Sequence, residues 1–112
     1  MEITTILPVR ELIVVSQRAA AMVSQPGHSR RTVRVVLVRV EHGTLRYEVR
    51  IARKQIWAVI VRFTQDLDIT RVSIEGALDG AAAAFVAQLQ ERIHTADPGA
   101  ACTQAGAGAQ AG

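Results

Sequence analysis

The sequence predicts an α+β domain, an antiparallel sheet with its helices on one face, and three observations lead there. Arg31 to Ile51, RTVRVVLVRVEHGTLRYEVRI, reads as two strands joined by a tight turn at Glu41-His42-Gly43-Thr44. Asp68 to Glu75, DITRVSIE, alternates in the same way and closes at Gly76. Flanking these strands, Val9 to Met22 and Leu78 to Ile93 repeat apolar residues at three and four positions, the spacing of an amphipathic helix.

Glu2 to Leu7, EITTIL, is short and β-branched, a weak first strand or a lead-in. Pro8 suits a helix start, where its missing N–H is not needed. Val9, Leu12, Ile13, Ser16, Ala20 and Val23 then form one stripe of a helix from about Val9 to Met22. Val14 and Val15 lie off that stripe and widen the apolar arc. Ser24-Gln25-Pro26-Gly27-His28 is a loop by its Pro-Gly pair.

In the hairpin, Leu45, Tyr47, Val49 and Ile51 share one face, because successive strand side chains point to opposite sides; Arg46, Glu48 and Arg50 take the other. Val33, Val35 and Leu37 oppose Val36, Val38 and Val40, so this strand is apolar on both faces. That pattern predicts a more central strand, partly covered on both sides. Gly43 supplies the backbone freedom of a short hairpin loop.

Arg53 to Asp68 fits two periods. As a helix it lines up Ile56, Val59, Ile60, Phe63 and Leu67; as a strand it sets Trp57, Val59, Val61 and Phe63 against Ile56, Ala58 and Ile60. The strand needs a turn at Arg53-Lys54-Gln55, which offers no Gly, Asn, Asp or Pro, and segment length favours the helix. After Gly76, Asp79 is a candidate N-cap for a last helix carrying Leu78, Ala82, Phe85, Leu89 and Ile93. Asp97-Pro98-Gly99 stops it. The expected organisation is a single domain over 1–96 and a disordered Ala/Gly-rich tail over 97–112. The favoured element order is the ferredoxin-like βαββαβ with a C-terminal helix, and the alternative is an αββββα meander.

Composition narrows the function. Apolar residues are 49% and charged residues 21% of the 112, as in a globular chain. The apolar runs are too short to span a bilayer, and Glu2 without a basic n-region gives no secretory signal, so the cytoplasm is the expected compartment. Cys102, the single cysteine, excludes an internal disulfide and a zinc framework. His28, His42 and His94 have no ligating spacing, Ser73 and Cys102 have no neighbouring base in sequence, and Asp66 with Asp68 reads as a solvated element end. No catalytic, cofactor-binding or metal-binding set emerges, no small-molecule substrate is inferred, and an enzyme is not expected.

Charge is the feature above background. The net charge is +3, carried by twelve Arg and one Lys. Between His28 and Lys54 stand Arg30, Arg31, Arg34, Arg39, Arg46, Arg50, Arg53 and Lys54 against only Glu41 and Glu48, an excess of six that leaves the remainder of the chain at −3. Arg30, Arg31, Arg34, Arg46, Arg50, Arg53 and Lys54 are the candidate anion-binding residues, since guanidinium groups suit carboxylate and phosphate alike. A solvated outer sheet face explains the same arginines without a ligand. Surplus apolar surface at Val14, Val15, Val36, Val38 and Trp57 points to a protein interface, a homodimer first. The expected function is therefore a non-enzymatic interaction or assembly module with an arginine-rich hairpin face for an anionic partner. The alternative is a nucleic-acid-binding protein using that hairpin. Against it, Tyr47 is the hairpin's sole aromatic and alternates with the core residues, whereas RNA-binding sheets stack bases on exposed aromatics.

Overall fold

The structure, a computed structural model, describes residues 1–25, 33–51, 55–76 and 80–103. Its elements run β1 (Glu2–Thr5), α1 (Val9–Val23), β2 (Val33–Glu41), β3 (Thr44–Ile51), β4 (Gln55–Asp66), β5 (Ile69–Gly76), α2 (Gly80–Ala96) and β6 (Ala101–Thr103). They form an α+β fold with one six-stranded sheet in the order β2-β3-β4-β5-β1-β6, every described pair antiparallel. Four consecutive strands make a meander; β1 then returns beside β5, and β6 lies beyond β1.

Period-two burial explains the sheet. Leu45, Tyr47 and Val49 of β3, Val59 and Val61 of β4, and Val72 and Ile74 of β5 are buried on one face. Both helices cover that face. α1 buries Leu12, Ser16, Ala19, Ala20 and Val23, with Pro8 at its N-cap in an extended conformation. α2 adds Ala82, Phe85, Val86, Leu89 and Ile93. Tyr47 joins the layers: its ring packs 4.9 Å from that of Phe85 at a 54° tilt, and its hydroxyl lies 2.8 Å from Ser16 Oγ. Ser16 spends its own proton on the Ile13 carbonyl at 2.8 Å, so the tyrosine is the donor in the shared bond.

Three expectations require correction. Arg53 to Asp68 is not a helix: Gln55–Asp66 is the long strand β4. The helical stripe would have buried Ile56 and Leu67, yet these are 58% and 89% exposed, whereas Val59 and Val61 are fully buried by alternation. Backbone pairing decides the matter, because β4 is hydrogen-bonded to β3 on one side and β5 on the other. Asp66, ill-placed at a helix C-terminus, is indifferent to strand polarity. The ferredoxin-like order therefore gives way to the meander, extended to six strands by β1 and β6.

Second, β2 is not central. It is an edge strand: Val36 lies on an uncovered face, while the register shift after Leu37 sets Val40 opposite Leu45 on the helix side. Its pairing to β3 shifts between Leu37 and Arg39, a bulge at Val38 that interrupts the edge. The Val35 N–H donates to Ser24 Oγ at 2.8 Å, which occupies one edge donor.

Third, the chain beyond residue 97 takes part in the fold. Asp97 is buried, and Ala101–Thr103 pairs with β1 as β6. The rest of the expected tail, 104–112, lies outside the described residues. The Asp97 carboxylate accepts from Thr5 Oγ1 at 2.6 Å and the Ile6 N–H at 3.1 Å through Oδ2, and from the Gly99 N–H at 3.1 Å through Oδ1. Bonding to Thr5 and then to the Ile6 N–H holds its pKa below the usual carboxylate value of 3.8, with His94 nearby acting in the same direction. A depressed folded-state pKa contributes stability present above the ordinary value and lost as pH falls through the folded one. Acid unfolding below pH 3.8 is therefore expected to weaken in Asp97→Asn, measured as a flatter dependence of the urea midpoint on pH. An unchanged acid limb would remove Asp97 from that role.

Candidate functional site

The sheet face opposite the helices is the candidate site. Antiparallel register places directly opposed residues on the same side, so the pairing fixes which side chains meet there. Arg34 stands across from Arg50, which stands across from Ile56. The next row is Val36, Glu48 and Ala58; the one after it is Arg39, Arg46, Ile60 and Glu75. Arg62 follows on β4 with Ser73 beside it. Apolar side chains thus run along β4 at Ile56, Ala58 and Ile60, with Val36 on β2. Arginines from β2, β3 and β4 surround them.

Two cross-strand pairs set arginine against arginine, Arg34 with Arg50 and Arg39 with Arg46. Like charges directly opposed on a sheet are unfavourable. Part of that charge is answered locally. Arg50 donates through Nη2 and Nε to Glu48 Oε1 at 2.7 and 3.2 Å, Arg39 pairs with Glu41, and Arg62 lies 3.8 Å from Glu75. Among the described residues no ion pair forms at Arg34 or Arg46, and both are exposed. Arg71 of β5, across from Thr64 on the same face, is likewise exposed and in no described ion pair, so these three carry the charge left over for an outside anion.

Of the candidate anion-binding residues, the structure therefore brings Arg34, Arg46 and Arg50 onto one face. Arg30, Arg31, Arg53 and Lys54 lie outside the described residues. The candidate interface residues divide. Val36 is half-buried on the open face and Val38 is exposed at the bulge, while Val14 is exposed on α1. Val15 and Trp57 pack against the core instead, and a methyl group at Gly80 would lie 3.4 Å from the Trp57 ring. All four aromatic residues of the chain sit on the helix side: Tyr47, Phe63 and Phe85 buried, Trp57 half-buried. Ile56, Ala58 and Ile60 belong to the site but not to the predicted interface. Their signal was the second face of the strand reading of residues 53–68.

A separate cleft of about 320 Å³ opens between α2 and the β1–β6 pair, lined by Ile3, Gln90, Glu91, His94 and Cys102. Gln90 Nε2 donates to the Cys102 sulfur at 2.9 Å, and the thiol is exposed. No group of three or more His, Cys, Asp or Glu among the described residues is arranged to hold a metal ion. Nor is any described helix long and apolar enough to cross a membrane.

Comparison with protein families, with curated proteins and with solved structures finds no match to this chain.

Proposed function

We propose that the chain is a non-enzymatic interaction and assembly module whose open sheet face receives an anionic protein surface. One observation carries this reading: an uncovered apolar strip, Ile56-Ala58-Ile60 with Val36, bordered by arginines of which Arg34 and Arg46 have no described ion pair. Apolar middle and charged rim is the anatomy of a protein interface, and arginine is enriched there. A cytoplasmic location, the compartment expected from the sequence, belongs to the same proposal.

Nucleic acid is the second reading and rests on the same arginines, which serve phosphate as well as carboxylate. The open face lacks the aromatic side chains on which single strands stack, and its centre is aliphatic, which favours protein. Fluorescence polarisation separates the two readings. Labelled polyglutamate is expected to bind and to weaken with salt, and Arg34→Glu/Arg46→Glu to reduce binding about tenfold or more. Tighter binding of a mixed-sequence oligonucleotide than of polyglutamate at equal salt would replace the protein partner with nucleic acid.

A further inference from the structure

At the far end of the same face is a second exposed apolar group with charge of the opposite sign. The β4–β5 hairpin turns through Leu67 and Asp68, and Leu67 has φ +57 and is 89% exposed. A two-residue loop with positive φ at its first residue alone takes glycine there. Leucine combines backbone strain with an apolar side chain in water, so neither folding nor solvation accounts for it. Two neighbours enlarge the apolar surface. Ile69 is 45% exposed and shares the open face with its register partner Asp66. The β1–β5 register ends at Thr5 beside Thr70, which brings Ile6, 70% exposed, to the level of Ile69. Asp66 and Asp68, both exposed, flank the tip, and Arg71, one open-face pair away across from Thr64, leaves its net charge at −1.

The apolar, acidic tip and the apolar, basic corner therefore occupy diagonally opposite corners of one sheet face. Arg34, Arg50 and Ile56 mark the β2–β4 end of one diagonal; Asp66, Leu67 and Ile69 mark the other. A two-fold axis in the plane of that face, along the remaining diagonal, lays each corner on the opposite corner of a second copy. The contact is made twice and the assembly closes as a dimer. Strands of the two sheets then cross steeply, a known mode of sheet packing. The β2 edge is a poorer route to a dimer, because the Val38 bulge and the Ser24 bond to the Val35 N–H obstruct strand addition.

We infer that the anionic partner of the arginine corner is the Leu67 tip of a second copy of this chain. The inference rests on the open face being the binding surface and names what covers it. Charge reversal at either corner alone sets like against like in both contacts. Mixing the two reversed chains restores both contacts, one inverted and one native.

Sedimentation equilibrium on four proteins tests it. The unaltered chain is expected to be a dimer in the micromolar range. Leu67→Gly is expected to be a monomer that melts at a higher temperature, because the strained residue is relieved while the contact is removed; a merely damaged fold would melt lower. Asp66→Arg/Asp68→Arg and Arg34→Asp/Arg46→Asp are each expected to be monomeric, and their equimolar mixture to be a dimer. An unaltered chain that stays monomeric at the highest soluble concentration overturns the inference, as does a charge-reversed chain that dimerises as well as the original. If the monomer still binds polyglutamate through Arg34 and Arg46, only the second copy is refuted. Loss of both signals refutes the binding face as well.

Discussion

Gly76→Ala is expected to lower the stability of the fold by about 3 kcal/mol or more, the combined scale of a strained backbone and an overpacked contact. Gly76 is the last residue of β5 and has φ +121, a conformation that residues with a Cβ rarely adopt. There is also no room. A Cβ built on it would lie 2.1 Å from the Ala58 carbonyl oxygen and 3.2 Å from its carbon, backbone atoms of the central strand β4. Relief requires β4 and β5 to part where Val59 pairs with Gly76, beside the fully buried Val59 side chain. Gly43 is the control. Its φ is +71 and a Cβ there would meet the Phe63 carbonyl oxygen at 3.0 Å, a looser approach than the 2.1 Å at Gly76. Gly43→Ala is expected to cost about 1–2 kcal/mol. Urea unfolding of both variants checks the order. Equal losses would mean that conformation, not the approach of the two strands, is the constraint at Gly76.

That close approach shows why the sequence disclosed some parts of this fold and hid others. The β2–β3 hairpin was legible because alternation in Leu45 to Ile51 is strict and the turn at Gly43 is local. The placement of Arg34, Arg46 and Arg50 on one face followed from the same period of two. β4 was not legible, because Ile56, Val59, Ile60 and Phe63 satisfy a helical stripe as well as a strand. What selects the strand is pairing with β3 and β5, which is tertiary. β2 misled in the opposite way: an apolar second face signals burial in most sheets, and here Val36 lies on a face left open while the register shift sets Val40 on the helix side. Asp97 was read as a helix stop, and its role depends on Thr5, 92 positions away. Leu67 gave no warning at all, since nothing in its identity announces a positive φ.

The same tertiary dependence governs the contact between Tyr47 and Phe85, where the second large effect is expected. Phe85→Ala should cost about 3–5 kcal/mol, the usual range for truncating a buried phenylalanine. The ring is fully buried between α2 and the sheet, so its removal leaves a cavity beneath the only aromatic ring it is paired with among the described residues. Tyr47→Phe keeps that ring contact and removes one hydrogen bond, at about 1 kcal/mol. Ser16 keeps its bond to the Ile13 carbonyl, so the variant strands no donor. The two substitutions also separate in their pH dependence. Burial pushes the Tyr47 hydroxyl above its ordinary 10.0. The folded chain thus holds a proton that the unfolded chain releases, and stability falls as pH rises above 10.0. Tyr47→Phe should flatten that alkaline limb, while Phe85→Ala, which opens the pocket to water, should soften it and leave it in place. Denaturation midpoints on either side of pH 10.0 decide between them, because an alkaline limb unchanged in Tyr47→Phe would have to come from other groups.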